Sequence, residues 1–327
     1  MQNPTVLRLL AAALAVATNA LPAQDLRRGI GDADLVAVAR QIGKRNHDDR
    51  VVLHRVQIVQ EVFGSNGNTA VTVLDWPTLS MHNRPSPRQS RLYCLKSAGV
   101  TAERLGLPAS EGPYYKMVGW AGSNPLIGSA PDEDPIVRFA AVIARGKAGA
   151  SATRTAGELA TVAVEGDPAV RTEAARLLTE RGDLRLVLAA PQWSAILARA
   201  AGETEDVDYK VALAELCAEQ RLEGLVETLS VSLGPVQDPR FARCVGRIAN
   251  LMHGEQATEA LERRLTLLRD PADRAVVLRA IGATNTDAAL ALLLRLDSVG
   301  GKDAAVEAAL KEHRSPQAEA AVLRRQK

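Results

Sequence analysis

The sequence predicts a multidomain β + α protein, a small five-stranded β-barrel followed by an α-solenoid of stacked helix pairs. Three observations carry this. Short segments with strand-like alternation fill the region between residues 34 and 120. After residue 131 an Asp-Pro type signal recurs at nearly constant spacing, the mark of a repeat array. Composition also shifts: Phe63, Trp76, Tyr93, Tyr114, Tyr115 and Trp120 precede residue 131, whereas only Phe139, Trp193, Tyr209 and Phe241 follow it. The second part is rich instead in Ala, Leu and Arg, which favour helix.

The N-terminus reads as an export signal. Met1–Arg8 carries one positive side chain, Leu9–Ala17 (LLAAALAVA) is apolar, and Thr18–Ala23 (TNALPA) offers small residues for cleavage after Ala20 or Ala23. The apolar run is far shorter than the roughly 20 residues that cross a hydrocarbon core. The expected division is therefore a signal peptide over 1–23, a barrel over 24–130 and a solenoid over 131–327, with an exported chain lacking a transmembrane segment. The formal net charge of the whole sequence is +2. Residues 1–130 carry 14 Lys+Arg against 9 Asp+Glu, and residues 131–327 carry 26 against 29. Neither part has the field of a nucleic-acid binder.

In the barrel region, Asp34–Ile42 reads as a first strand. Val51–Val62 is a second, with Val52, His54, Val56, Ile58, Gln60 and Val62 on one face. The turn Gly64–Asn68 leads to a third strand, Ala70–Trp76. A polar, Pro-containing loop over Pro77–Arg88 precedes the strands Arg91–Lys96 and Tyr114–Trp120, with a short helix over Thr101–Leu107 between them. Five strands of this length suit a closed or nearly closed barrel. The order resembles OB-like barrels, and it is similar to netrin-like modules. The matching residues are Ala33, Asp34, Leu35, Val36 and Val38, a VTV strand, and Arg91, Leu92, Tyr93, Cys94 and Leu95. The N-terminal disulfide-bonded Cys that netrin-like protease inhibitors insert into their targets has no counterpart here. Gly119–Pro135, rich in Gly, Pro and acidic residues, marks the boundary between the parts.

The repeat starts are Asp134, Asp167, Asp206, Asp238, Asp270 and Asp303, spaced 33, 39, 32, 32 and 33 residues apart. Asp can cap exposed helix N–H groups, and Pro in the first helical position forfeits no hydrogen bond. An amphipathic helix follows each start, as in Val170, Ala174, Leu177 and Leu178, and then a second helix, as over Glu223–Leu233 and Gln256–Leu268. One such pair cannot bury its apolar face alone, so pairs stack. The pattern resembles HEAT repeats, in particular the short type of phycobilisome-lyase-like proteins. It is clearest in Asp134-Pro135-x-Val137-Arg138-x-x-Ala141 and Asp167-Pro168-x-Val170-Arg171-x-x-Ala174. Degenerate copies are Asp206 with Tyr209, Lys210 and Leu213, Asp238 with Phe241 and Arg243, and Asp270 with Arg274. The last unit, from Asp303, is short and has Glu307 at the basic position.

The resemblance implies that the helix after Asp-Pro lines the concave side, which places Arg138, Arg171, Lys210, Arg243 and Arg274 near one stripe. These bases either grip an acidic partner or pair with the repeat-start aspartates. The second repeat is six residues longer than its neighbours and holds Pro191 and Trp193. Trp193 either anchors a partner from an exposed insertion or fills a gap at a helix kinked by Pro191.

Little else suggests chemistry. Cys94, Cys217 and Cys244 are too few for a disulfide framework, and whether Cys217 and Cys244 are bridged stays open. His47, His54, His82, His253 and His313 lack metal-ligand spacing, and nucleophile elbows and phosphate loops are absent from the sequence. Asp132-Glu133-Asp134 could hold a cation or simply favour a helix N-terminus. The expectation is an exported, non-catalytic interaction or scaffold protein without a cofactor, binding a protein or envelope partner. The alternative, opened by the repeat resemblance, is a lyase-like enzyme or an accessory factor for an extracytoplasmic enzyme.

Overall fold

The computed structural model describes residues 22–64, 67–76, 89–118, 125–202, 206–252, 254–300 and 303–325. Residues 1–21 of the signal peptide expected over 1–23, the loop Pro77–Arg88, His82, His253 and Trp120 lie outside them. The chain divides into two compact units, Met1–Glu173 and Ala174–Lys327.

The first unit opens with helix α1, Pro22–Asp32, which the strand-centred reading of this region does not anticipate. Its Leu26 and Ile30 are fully buried. Five strands follow: β1 Leu35–Asn46, β2 Val52–Phe63, β3 Ala70–Asp75, β4 Arg91–Ser97 and β5 Tyr114–Met117. They close into a barrel in the order β1-β2-β3-β5-β4, with β3 and β5 parallel and the other neighbours antiparallel. Closure leaves no open sheet edge. Helix α2, Gly99–Arg104, lies between β4 and β5. The expected and observed strands differ mainly in β1, which runs on to Asn46. Its register shifts at Val36/Ala37, Val38/Ala39 and Gln41/Gly43. Each shift resets the alternation of faces, so a period-2 reading loses the strand near Gly43.

The barrel core follows from the register. Leu35 opposes Leu95, Ala37 opposes Tyr93, and Val56 opposes Val71, and all six are buried in one cluster with Ala39, Val73 and Tyr115. His54 opposes Val73 on the same inward face. It is a structural residue: its Nε2 lies 3.4 Å from Asp75 Oδ2, and both side chains are almost wholly buried.

The first helix pair belongs to this same unit. It comprises α3, Pro135–Lys147, and α4, Ala152–Glu165. Lys147 at the end of α3 donates to the carbonyls of Ile30, at 3.3 Å, and Ala33, and its ammonium sits 4.9 Å from the centre of the Phe63 ring. The division between the two units falls inside α5, Pro168–Glu180.

The second unit continues with α6 Gly182–Arg185, α7 Ala190–Ala201, α8 Val207–Glu219, α9 Leu225–Val231, α10 Pro239–Leu251 and α11 Gly254–Leu267. It ends with α12 Pro271–Thr284, α13 Asp287–Gly300, α14 Ala304–Glu312 and α15 Pro316–Arg325. Two layers result. Helices α8, α10, α12 and α14 pack in succession against one another, and α7, α9, α11, α13 and α15 form the second layer. Glycine sets the spacing in the first layer. A Cβ on Gly246 of α10 would meet the Ala280 carbonyl oxygen of α12 at 2.3 Å, and one on Gly282 of α12 would meet that of Ala309 in α14 at 2.2 Å. All three cysteines are buried free thiols. Among the described residues no helix is long and apolar enough to cross a membrane.

Candidate partner-binding face

Each repeat start is a working cap. Asp134 accepts from the amides of Ile136 and Val137, Asp167 from Ala169, Asp206 from Tyr209, Asp238 from Arg240, Asp270 from Ala272 and Asp273, and Asp303 from Ala305. A carboxylate there satisfies orphan N–H groups and meets the positive end of the helix dipole. Within the acid cluster at the start of α3, Asp134 is thus engaged as a cap, and Asp132 accepts from Gln60 at 2.6 Å. Among the described residues no three His, Cys, Asp or Glu side chains gather where they could hold a metal ion.

The basic position four residues after the cap faces backwards. Arg138 Nε donates to the Asp132 carbonyl at 3.0 Å. Lys210 Nζ donates to the Gly202 carbonyl at 2.5 Å and sits 5.2 Å from the centre of the Phe241 ring. Arg274 Nη1 donates to the carbonyls of Leu265 and Leu268, at 2.9 and 3.3 Å. In the last two cases a cation satisfies carbonyls at the C-terminal end of the preceding helix, where the dipole is negative. Lys210 is only 1% exposed. Arg171, at the same position, is half-buried.

Arg243 behaves differently because it stands five residues after Asp238, not four. One residue turns a side chain by about 100° around the helix. Buried Ala242 takes the position four residues after the cap, and Arg243 instead reaches Glu312 at the end of α14. It grips Glu312 with both branches of its guanidinium, at 2.7 to 3.0 Å. Arg279 Nε lies 3.6 Å from the same carboxylate, and Arg247 lies 3.8 Å from Glu215.

These contacts define a face. Arg243 is on α10 and Glu312 on α14, with α12 between them. Gly246 and Gly282 draw α10, α12 and α14 close together, so the long Arg243 side chain reaches Glu312 across α12 on the exposed face of the layer formed by α8, α10, α12 and α14. Glu215, Arg247, Arg279 and Glu312 form a column along it, each nine residues after its capping aspartate. The aligned repeat register contains that column, but a search for basic residues next to the caps passes over it.

Trp193 lies in the first turn of α7 and is 8% exposed. Pro191 sits in the same first turn, where it costs no hydrogen bond, so it starts a helix rather than kinking one. The extra length of the second repeat is accommodated by the four-residue helix α6 and the residues leading into α7. Its exposed apolar side chains are Leu186 and Val187.

A groove of about 540 Å³ opens beside the turns linking α8 to α9 and α10 to α11. Its walls include Arg221, Glu223, Leu225, Leu251, Met252 and Gln256. Leu251 is 74% exposed there. The walls mix charge and apolar surface without converging a base, a nucleophile and an oxyanion cradle. No protein-family model, curated protein or solved structure matches this chain.

Proposed function

We propose that the chain is an exported, non-catalytic interaction protein whose solenoid receives a protein or envelope partner. The observation that carries this reading is the charge-lined face of α8, α10, α12 and α14 on which Arg243, Arg247 and Arg279 are set against Glu215 and Glu312. Such a surface offers exchangeable ion pairs. Arg247 and Glu215 are 66% and 46% exposed, and exposed pairs contribute little to folding stability, on the order of 0.2–1 kcal/mol. A partner can therefore replace them at small cost. Charges of this kind set partner choice and encounter rate more than affinity. The mixed groove at Leu251 and Met252 would supply apolar contact area.

The test places a photo-crosslinking residue at Arg247 on this face, and separately at Val299 on α13, which is 84% exposed. The full chain is then irradiated in cells. A discrete adduct from position 247 and none from position 299 is the expected result. Equal capture from both positions, or none from 247, rejects the charge-lined face as the partner site.

A further inference from the structure

The barrel carries a cationic groove of its own, of about 490 Å³, and we propose that it binds a small ligand through an oxyanion, a phosphoryl or carboxyl group. The site stands apart from the solenoid reading and does not rest on it. Its lining includes Lys44 and Arg45 near the end of β1, Arg55 on β2, Thr72 on β3, and Ser110 and Glu111 in the connection before β5. Gly43, Arg45, Leu53 and Arg55 share one face of the β1–β2 ladder, so two guanidinium groups stand beside Glu111, and Lys44, paired with His54, belongs to the alternate face.

The arrangement is built rather than accidental crowding. Arg55 is half-buried, and its Nη1 donates to Thr72 Oγ1 and to the Glu111 carbonyl, both at 3.0 Å. Thr72 Oγ1 donates in turn to that carbonyl at 2.6 Å. This network fixes the connection before β5 against β2 and β3, and it fixes the guanidinium. Arg45 is held in a two-branched pair with the Glu111 carboxylate, at 3.0 and 2.6 Å.

Glu111 therefore occupies the guanidinium fork that an oxyanion would take. Its pair with Arg45 is open to water, with side chains 55% and 38% exposed. A pair so placed is weak and opens readily. A ligand oxyanion can displace the Glu111 carboxylate from Arg45 while Arg55, on the same strand face, adds charge beside it. The planar fork of arginine matches carboxylate and phosphate alike. The named lining residues include no aromatic ring on which a nucleobase could stack, so the recognised part is the anion itself.

The experiment is calorimetric titration of the full chain at low ionic strength with inorganic pyrophosphate, and separately with citrate. The expected result is saturable binding of one or both anions, weakened roughly tenfold or more by Arg45→Ala. Glu111→Gln should strengthen it by removing the internal competitor. Binding of pyrophosphate alone assigns a phosphoryl ligand, binding of citrate alone a carboxylate ligand, and binding of both the shared oxyanion chemistry. The matched control is Arg104→Ala, which removes one exposed charge outside the groove. The proposal is overturned if neither anion binds saturably, if the control weakens binding as much as the groove variant, or if Glu111→Gln weakens it. Circular dichroism of each variant separates lost binding from lost folding.

Discussion

At the scale of the residue, the repeat works through its caps. The Arg240 side chain, hydrogen-bonded to Asp238, holds that carboxyl below its ordinary value of 3.8. The sign of the pH effect follows. A carboxyl whose pKa is depressed on folding adds stability above its unfolded value, and that contribution fades as the pH falls through the lowered value. Asn caps a helix about as well as Asp, so Asp238→Asn removes the charge and keeps the cap. The difference in stability between wild type and variant should be constant at neutral pH and shrink below about pH 4. Urea denaturation midpoints across pH 3 to 7 measure it. The side chain is partly in water, so the difference is small, and a difference that grows on acidification would contradict the assignment. The same scale shows why bases next to the caps are ambiguous in sequence. Lys210 and Arg243 look equivalent beside their aspartates, yet one residue of offset buries the first against Gly202 and Phe241 and turns the second toward Glu312 on the charge-lined face.

At the scale of the element, helix spacing is fixed by glycine. Replacing a mid-helix Gly by Ala ordinarily favours the helix by up to about 1 kcal/mol. Gly246 and Gly282 should reverse that sign, because their added Cβ atoms would stand 2.3 and 2.2 Å from neighbouring carbonyl oxygens. Overpacking of this kind costs roughly 1–3 kcal/mol. Gly31→Ala in α1 is the control, since a Cβ there meets nothing within 4 Å. Thermal melts should show lower midpoints for the first two variants and an unchanged or higher one for the third. A rise for Gly246→Ala would mean that the helices can part without loss. Elements also show what a sequence makes legible. The Asp-Pro starts announced nearly every repeat, because capping is decided within four residues. The strands of the barrel were readable where alternation held, and β1 was cut short where its register shifts reset the faces. Helix α1 was missed because Leu26 and Ile30 earn their burial from contacts distant in sequence. The column at Glu215, Arg247, Arg279 and Glu312 needed the repeats to be laid in register. The groove at Arg55 and Glu111 joins residues 56 positions apart, which no local pattern connects.

At the scale of the whole molecule, the chain contains two compact units, and its cysteines report on both. Cys94 lies in the first unit, and Cys217 and Cys244 lie in the second. Burial pushes all three thiols up to about 12, so none forms the reactive thiolate near neutral pH while its surroundings stay closed. Labelling by a thiol reagent then requires opening of the unit that holds the thiol. The barrel is closed by strand pairings far apart in sequence, so it should open as one cooperative body. The solenoid is held by contacts between neighbouring helices, and its stability accumulates from repeat to repeat. Cys217 is on α8 and Cys244 on α10, helices that pack directly on each other, so their exposure should be coupled. Native protein should therefore resist labelling at all three positions. In rising urea, Cys217 and Cys244 should become reactive together, over a range distinct from that of Cys94. Mass spectrometry of the labelled peptides resolves the three sites. Joint exposure of all three at one urea concentration would mean that the two units unfold as a single body. Labelling of Cys217 well before Cys244 would mean that the junction between α8 and α10 breaks on its own, so that the charge-lined face does not persist as a unit for a partner to grip.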